Sequence, residues 1–224
     1  NPSQRFSSSV GLSATRNVLV HIPSASKSAN NEVRSYDVEW RWNYVLLPGL
    51  TATQSNTIGA DYTHYYYLST SDKLALDYNI STTLNAVLSP RFSVNVRHGA
   101  RHQPSGTYGP LADGITYLSR SEVNDNYTLS ARMAYTPGPA LSFFMQPNYV
   151  AGERDGSQSG VLVPTRTSRQ LNFSGGVSLN LRVGDRGRLS GDLQRTYRAD
   201  RSITYNSKGT VQSDVDTGND YWNG

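Results

Sequence analysis

The chain contains no cysteine, only three lysines and two methionines, and no long hydrophobic run. Its longest apolar runs are only a few residues, such as Val45-Leu46-Leu47 and Val18-Leu19-Val20. A membrane-spanning helix needs about 20 apolar residues, so the sequence excludes a helical membrane protein. Without cysteine the chain has neither a disulfide framework nor thiolate ligands for soft metals.

Charge is also scarce, because charged residues make up 17% of the 224 residues against roughly 25% in ordinary soluble domains. The net charge is +4, yet the basic residues are scattered among carboxylates and form no Lys/Arg run. This distribution argues against a nucleic-acid partner, which requires a basic track along the phosphates. The 15 tyrosines and the aliphatic content argue against a disordered chain.

Strict alternation of apolar and polar residues is the dominant pattern. From Leu74 to Leu88 the even positions are apolar, apart from Thr82, and the odd positions are mostly polar. In a β-strand successive side chains point to opposite faces, so this segment has one apolar and one polar face. At about 3.3 Å per residue its 15 residues would span roughly 50 Å, far longer than an ordinary strand.

The same alternation recurs along the chain, and no helical period competes with it. It covers the segments 6–15, 36–46, 127–135 and 171–183. Charged residues such as Glu39, Asp77 and Arg132 keep to the polar positions. The sequence therefore predicts an all-β chain.

Two kinds of connection separate the predicted strands. Short turns with Pro or Gly lie near Pro48, Pro90, Pro137 and Gly184, about every 42 to 47 residues, and Asn1–Arg5 has the same turn-like composition. Longer polar segments alternate with them: Pro23–Glu32, Ser69–Lys73, His102–Gly114, Gly152–Thr167 and roughly Asn206–Asp220. Short turns at one end and long loops at the other predict an up-and-down antiparallel meander.

On these alternating strands, turns and loops, the chain resembles a Gram-negative outer-membrane β-barrel. The resemblance implies a transmembrane barrel in the outer membrane, with short periplasmic turns, long extracellular loops and apolar residues toward the lipid. Membrane lipid and lipopolysaccharide would surround it, and other subunits of an envelope complex are expected partners. We expect two girdles of aromatic residues: Tyr44, Phe92 and Tyr135 near the turns, and Tyr62, Tyr66, Tyr78, Tyr127 and Tyr149 near the loops.

The domain organisation is predicted as a single unit, 1–224, that is a β-barrel or a segment of a larger one with about 9–10 strands. The turn-like start at Asn1 and the strand-like end at Tyr221-Trp222-Asn223-Gly224 favour the C-terminal part of a larger barrel. A plug or periplasmic domain is then expected before Asn1. TonB-dependent receptors, lipopolysaccharide-insertion barrels and secretion barrels share this pattern, and the residues do not separate them.

The polar positions carry charges that would line the lumen if the alternation is correctly assigned. They are Glu39, Arg41, Asp77, Arg97, Arg132, Arg182, Arg188, Asp192 and Arg198. One interpretation is mutual pairing across neighbouring strands, which stabilises the wall. The other is a pore lining whose excess of arginine favours anionic or polar solutes. The two are compatible.

No catalytic residue, cofactor or metal site is assigned. A nucleophile motif is absent, and the serines are too numerous to nominate one, so an enzyme is not expected. His98 and His102 would lie about 13 Å apart on a strand, and the acidic segments Glu153–Ser157 and Asp214–Asp220 do not match an EF-hand loop.

The predicted function is a transmembrane pore or the wall of a transport or secretion channel. The first alternative is a structural or adhesive cell-surface barrel that anchors loops binding a partner. A second alternative is a soluble, lipocalin-like barrel, which would bury the apolar positions inside and fold without detergent.

Overall fold

The chain forms ten β-strands in a computed structural model that describes residues 5–20, 30–66, 72–110, 116–158, 161–183 and 187–223. The strands are β1 Phe6–Leu19, β2 Asn31–Leu47, β3 Leu50–Tyr65, β4 Lys73–Ser89, β5 Phe92–Pro110, β6 Thr116–Gly138, β7 Leu141–Gln158, β8 Val161–Val183, β9 Gly187–Tyr205 and β10 Val211–Asn223. Within these ranges no helix is long and apolar enough to cross a membrane. The predicted all-β class is confirmed.

The ten strands form one sheet in chain order, and each is antiparallel to the next. The strand ends that face each other in the pairs β2–β3, β4–β5, β6–β7 and β8–β9 define one end of the sheet, here called the turn end, and the opposite strand ends define the loop end. Gly49 takes a φ of 81° in the β2–β3 turn, where an added Cβ would lie 2.6 Å from the Val87 carbonyl oxygen. Glycine is required there because the left-handed conformation and the close backbone both exclude a side chain.

Strand pairing continues into most of the predicted loop segments, which corrects their bounds. β5 extends to Pro110, β7 to Gln158 and β8 begins at Val161, so the ladders occupy much of His102–Gly114 and Gly152–Thr167. Most of Asn206–Asp220 is likewise strand, since β10 begins at Val211. These segments are polar on both faces, so they lack the alternation that marks a half-apolar strand.

Several predicted connections lie wholly or partly outside the described residues. They are the turn Asn1–Arg5 up to residue 4, the loop Pro23–Glu32 up to residue 29, residues 69–71 of Ser69–Lys73, residues 111–114 of His102–Gly114, residues 159–160 of Gly152–Thr167, and the turn residues 184–186.

Over the described ranges the sheet has no hydrophobic core. Among the described residues Val123 is the only buried hydrophobic one, and large apolar side chains such as Leu12, Val38 and Ile80 are exposed. A soluble lipocalin-like barrel would bury its apolar positions, so this arrangement argues against that alternative. An exposed apolar face of this extent requires an apolar environment.

The two outermost strands each have one free edge within the described residues. β1 pairs only with β2, and β10 pairs only with β9. Each free edge carries backbone N–H and C=O groups that lipid cannot satisfy. Further strand pairing is therefore needed wherever these edges lie within a bilayer.

The two faces of β4 should respond oppositely to a new charge. Leu84→Arg places a cation on the apolar face and is expected to cost about 2–4 kcal/mol, because lipid does not solvate it. Ser81→Arg, three residues away on the polar face, is the matched control and should be tolerated. Urea unfolding of the whole protein in lipid vesicles measures both, and equal destabilisation would contradict the assignment of the faces.

Candidate functional site

All nine residues that the sequence assigns to the lumen fall on one face of the sheet, called the polar face from here. Directly opposed residues of antiparallel strands share a face. One such row crosses the sheet from Asn43 through Thr53, Thr83, Arg97, Ser130, Asn148 and Asn172 to Arg198. The others share its phase: Glu39 and Arg41 on β2, Asp77 on β4, Arg132 on β6, Arg182 on β8, and Arg188 and Asp192 on β9. Arg188 is placed by its backbone alone, because its side chain lies outside the described part. That this face lines a lumen stays a prediction.

Toward the loop end, three arginines of the polar face are ion-paired, whereas Arg166, opposite Arg154, donates to the Ser202 hydroxyl at 3.3 Å and has no ion-pair partner within the described residues. Arg101 donates through Nε to Asp77 Oδ1 at 2.8 Å and through Nη2 to Oδ2 at 2.5 Å. Arg154 Nη2 lies 2.9 Å from Glu122 Oε2, and Arg198 Nε lies 2.5 Å from Asp200 Oδ2. These charge-assisted bonds hold the pairs Arg101–Asp77 and Arg154–Glu122 between strands and support the structural interpretation of the charges.

Toward the turn end, three arginines of the polar face have no ion-pair partner within the described residues. Arg97 lies opposite Thr83 and Ser130, and Arg132 lies opposite Asn95. Arg182 lies near the β8–β9 turn. All three are exposed, so their guanidinium groups are available to solutes.

The sequence analysis missed four members of the paired set: Arg101, Glu122, Arg154 and Asp200. Arg101 shares the phase of Arg97, and Glu122 shares that of Arg132, so extending the alternation along each strand would have found them. They were missed because the predicted strands ended before the paired segments did.

The opposite face, called the apolar face from here, has a charge-free band of limited height. It covers residues 36–46 of β2, 127–135 of β6, 141–151 of β7 and 171–181 of β8. These lengths match the roughly 9–11 residues that a tilted strand needs to cross a bilayer. Charged residues border the band on its loop side: Arg34, Asp125, Glu153 and Arg169. The strands therefore continue beyond the band toward the loops.

Aromatic contacts lie near both edges of the band. Near the turns, Phe6 packs edge-on against Tyr44, and Phe92 and Phe143 both contact Tyr135. Near the loops, Tyr127 contacts Tyr149 with ring centroids 6.4 Å apart. Of the expected aromatics, Tyr44, Phe92, Tyr135, Tyr127 and Tyr149 therefore lie at the heights where amphipathic rings meet a membrane interface. Tyr62 and Tyr66 lie beyond the band and donate hydrogen bonds to Asp72 and Glu32 instead.

A buried carboxylate organises the loop end of β1 and β2, beyond the band. Glu32 is only 3% exposed and accepts from Arg16 Nε at 2.7 Å and Arg16 Nη2 at 2.9 Å. Arg34 Nε donates to it at 2.5 Å, and the Tyr66 hydroxyl donates at 2.8 Å. Hydrogen bonds from Arg16, Arg34 and Tyr66 lower the pKa of Glu32 from 4.5 to about 2. Burial opposes this shift but is outweighed.

A second carboxylate, Asp72, fixes the start of β4 against the end of β3. It accepts from the Tyr62 hydroxyl and lies 2.8 Å from His64 Nδ1, while the Tyr65 backbone N–H donates at 2.8 Å. Burial alone would raise the pKa of Asp72, but the three hydrogen bonds together lower it. This residue stabilises the strand ends and is absent from the predicted charge set.

Two ion pairs interrupt the apolar face at β9 and β10. Arg195 forms two bonds with Asp220, at 3.1 and 2.6 Å, and Arg201 forms two with Asp214, at 3.0 and 2.6 Å. The register shift between Val211 and Ser213 brings these aspartates to the apolar face, in a segment that the sequence assigned to a loop. Paired bidentate contacts offset part of the cost of placing charge there.

The two histidines with four-residue spacing have separate contacts. His102 Nδ1 lies 2.5 Å from Asp125 Oδ1, and the His98 ring packs edge-on against Tyr127. Across the described ranges, no three His, Cys, Asp or Glu side chains are grouped so that they could hold a metal ion.

Glu32→Gln should destabilise the loop end of the sheet at neutral pH, because it leaves Arg16 and Arg34 without their carboxylate. Because the pKa of Glu32 is lowered on folding, its ionised carboxylate stabilises the fold fully at pH values above 4.5. This stabilisation is lost as the pH falls through about 2. The difference in urea midpoint between the variant and the parent should therefore be largest above pH 5 and vanish near pH 2. Glu153→Gln, which removes a carboxylate without an ion pair in the described part, is the control and should leave the pH 7 midpoint unchanged. A constant difference from pH 7 to pH 2 would contradict the role of Glu32.

Comparison with known proteins finds the fold but no sequence family. No protein-family model matches the chain, and no curated protein matches it. Among solved structures, the siderophore receptor PiuA from Acinetobacter baumannii is similar with a TM-score of 0.60 at 10% identity. The match covers 98% of this chain but only 42% of the receptor chain.

Two other outer-membrane structures match with lower scores. The β-domain of the Bordetella autotransporter BrkA has a TM-score of 0.32 at 9% identity, covering 96% of this chain and 81% of that one. The outer membrane protease OmpT from Escherichia coli has a TM-score of 0.29 at 8% identity, covering 98% and 93%. The fold class rests on the receptor match and on the ten-stranded meander. The predicted localisation is the outer membrane, in which such barrels lie. This chain has the fold of Gram-negative outer-membrane β-barrels, as its sequence predicts.

Proposed function

We propose that this sheet is part of the wall of an outer-membrane transport barrel whose polar face lines a hydrated passage. The mechanism is geometric: apolar side chains hold the wall in lipid, and inward polar groups replace water around a passing solute. The observation that carries this proposal is the chemical contrast between the two faces of a coreless sheet.

The distribution of charge on the polar face supports a passage. The pairs Arg101–Asp77 and Arg154–Glu122 neutralise part of the charge of the wall toward the loops. Toward the turns, Arg97 and Arg132 have no ion-pair partner among the described residues and lie beside serine, threonine and asparagine. A wall that served only as an anchor would gain nothing from unpaired arginines, because each of them must remain solvated.

The similarity to a siderophore receptor supports a large barrel. The match spans less than half of the receptor chain, so the transport unit proposed here includes strands beyond these ten. Such strands would pair with the free edges of β1 and β10. Outside the barrel, phospholipid and lipopolysaccharide would contact the apolar face, and other envelope subunits are its proposed protein partners.

An anchoring barrel remains the second candidate because the strands extend beyond the apolar band. β6, β7 and β8 continue past their charge-free segments, and the ion pair Arg154–Glu122 joins the loop-end parts of β6 and β7. In that case the partner-binding surface would be the projecting part of β5–β8, and the lumen would be blocked.

Two measurements on the whole protein from its native membrane test the proposal. A heat-dependent shift on a mild-detergent gel should appear, because a folded barrel migrates differently before and after boiling. Steady single-channel conductance should follow insertion into planar bilayers, after removal of any plug. A heat-dependent shift with no conductance would overturn the transport proposal and favour the anchor.

A further inference from the structure

We propose that Arg97 and Arg132 form an oxyanion-binding site on the polar face near the turn end. The site would take a phosphate or carboxylate group carried by a solute. This inference rests on the proposed function, because it names the chemistry of the solute that the polar face would admit.

The register brings the two arginines together. Arg97 lies opposite Ser130, and Arg132 lies opposite Asn95, so the two are diagonal neighbours on adjacent strands. Diagonal neighbours are about 7–8 Å apart at Cα, which two long side chains can bridge around a single group. Guanidinium groups bind phosphate and carboxylate through paired N–H donors, so this spacing suits one shared oxyanion.

The surrounding polar face lacks a competing carboxylate. On the turn-end half of β3 to β8, within the described residues, the other polar-face positions hold hydroxyl, amide or small residues, together with Val87 and Phe144, and none of them is a carboxylate. The bordering carboxylates are Glu39 on β2, which contacts Arg41 and Ser55, and Asp192 on β9. Arg182 adds a third cation in the same half. The field there is therefore positive, which attracts an anion.

Neutral donors complete the site beside Arg132. A depression of about 330 Å3 on the sheet is lined in part by Asn85, Ser93, Asn95 and Arg132. Asn95 Nδ2 donates to Asn85 Oδ1, so the amide group of Asn85 keeps its own two donors for a ligand. The site thus combines two cations with uncharged donors.

The contrast with the loop-end arginines argues against a structural role for this pair. Arg101 and Arg154 each bind a carboxylate from another strand. Arg97 and Arg132 have no ion pair or side-chain hydrogen bond in the described part of the chain. Two like charges as neighbours destabilise a wall, and binding an anion removes that repulsion.

The test uses the double variant Arg97→Gln/Arg132→Gln in the whole protein, held in uncharged detergent. Inorganic phosphate and, separately, citrate are titrated by calorimetry at constant ionic strength, so that the two arms distinguish phosphate from carboxylate. The control is Arg101→Gln/Arg154→Gln, which removes the same charge from the same face. A third variant, Arg97→Lys/Arg132→Lys, keeps the charge but not the planar fork.

The parent should bind at least one of the two probes, and Arg97→Gln/Arg132→Gln should weaken that binding roughly tenfold or more per arginine. The lysine variant should retain part of the affinity, and Arg101→Gln/Arg154→Gln should retain nearly all of it. A heat-dependent gel shift establishes that each variant is folded. If Arg97→Gln/Arg132→Gln does not fold, the affinity of Arg97→Lys/Arg132→Lys relative to the parent tests the site instead. No binding by the parent, or equal loss in the control, would overturn the site. Binding without conductance would refute the transport proposal alone, and conductance without binding would refute this site alone.

Discussion

The structure depends on one constraint, which is that every backbone N–H and C=O group within a lipid layer must be paired inside the protein. An antiparallel meander meets this constraint by pairing each strand with the next along the chain, as β1 to β10 do. Directly opposed residues of paired strands point to the same side of the sheet, so alternating residues of every strand contribute to the same two faces. The apolar band and the polar face both follow from this common phase.

The common phase also explains where charge can be placed. A charged residue in the polar phase of any strand reaches the same face, so Asp77 on β4 meets Arg101 on β5 across a distance of 24 residues in sequence. Toward the loops, the two members of each such pair neutralise one another and hold neighbouring strands together beyond the apolar band. Toward the turns, Arg97 and Arg132 have no ion-pair partner in the part of the chain that the structure describes, so this half of the face keeps a positive charge.

Sequence periodicity predicted the strands well wherever one face is apolar. The expected strand Leu74–Leu88 corresponds to β4, Lys73–Ser89. Periodicity failed beyond the apolar band, where β5 to β8 continue with polar residues on both faces. There the backbone hydrogen bonds between strands maintain the β-structure, and the hydropathy of the side chains no longer alternates in a way that reveals a strand. Of β10 only the end from Tyr221 was recognised as strand-like, because its aspartates had been assigned to a loop.

The sequence by itself determined the all-β class, the phase of the strands and the nine charges that share the polar face, because alternation has a period of two in any strand. Only the tertiary structure decided which charges are partners, since pairing depends on register between strands that the sequence does not specify. Register placed the carboxylates Asp77 and Glu122 beside Arg101 and Arg154 and, among the described residues, none beside Arg97. It also buried Glu32 between two arginines and moved Asp214 and Asp220 to the apolar face, which the pattern of residues alone could not reveal.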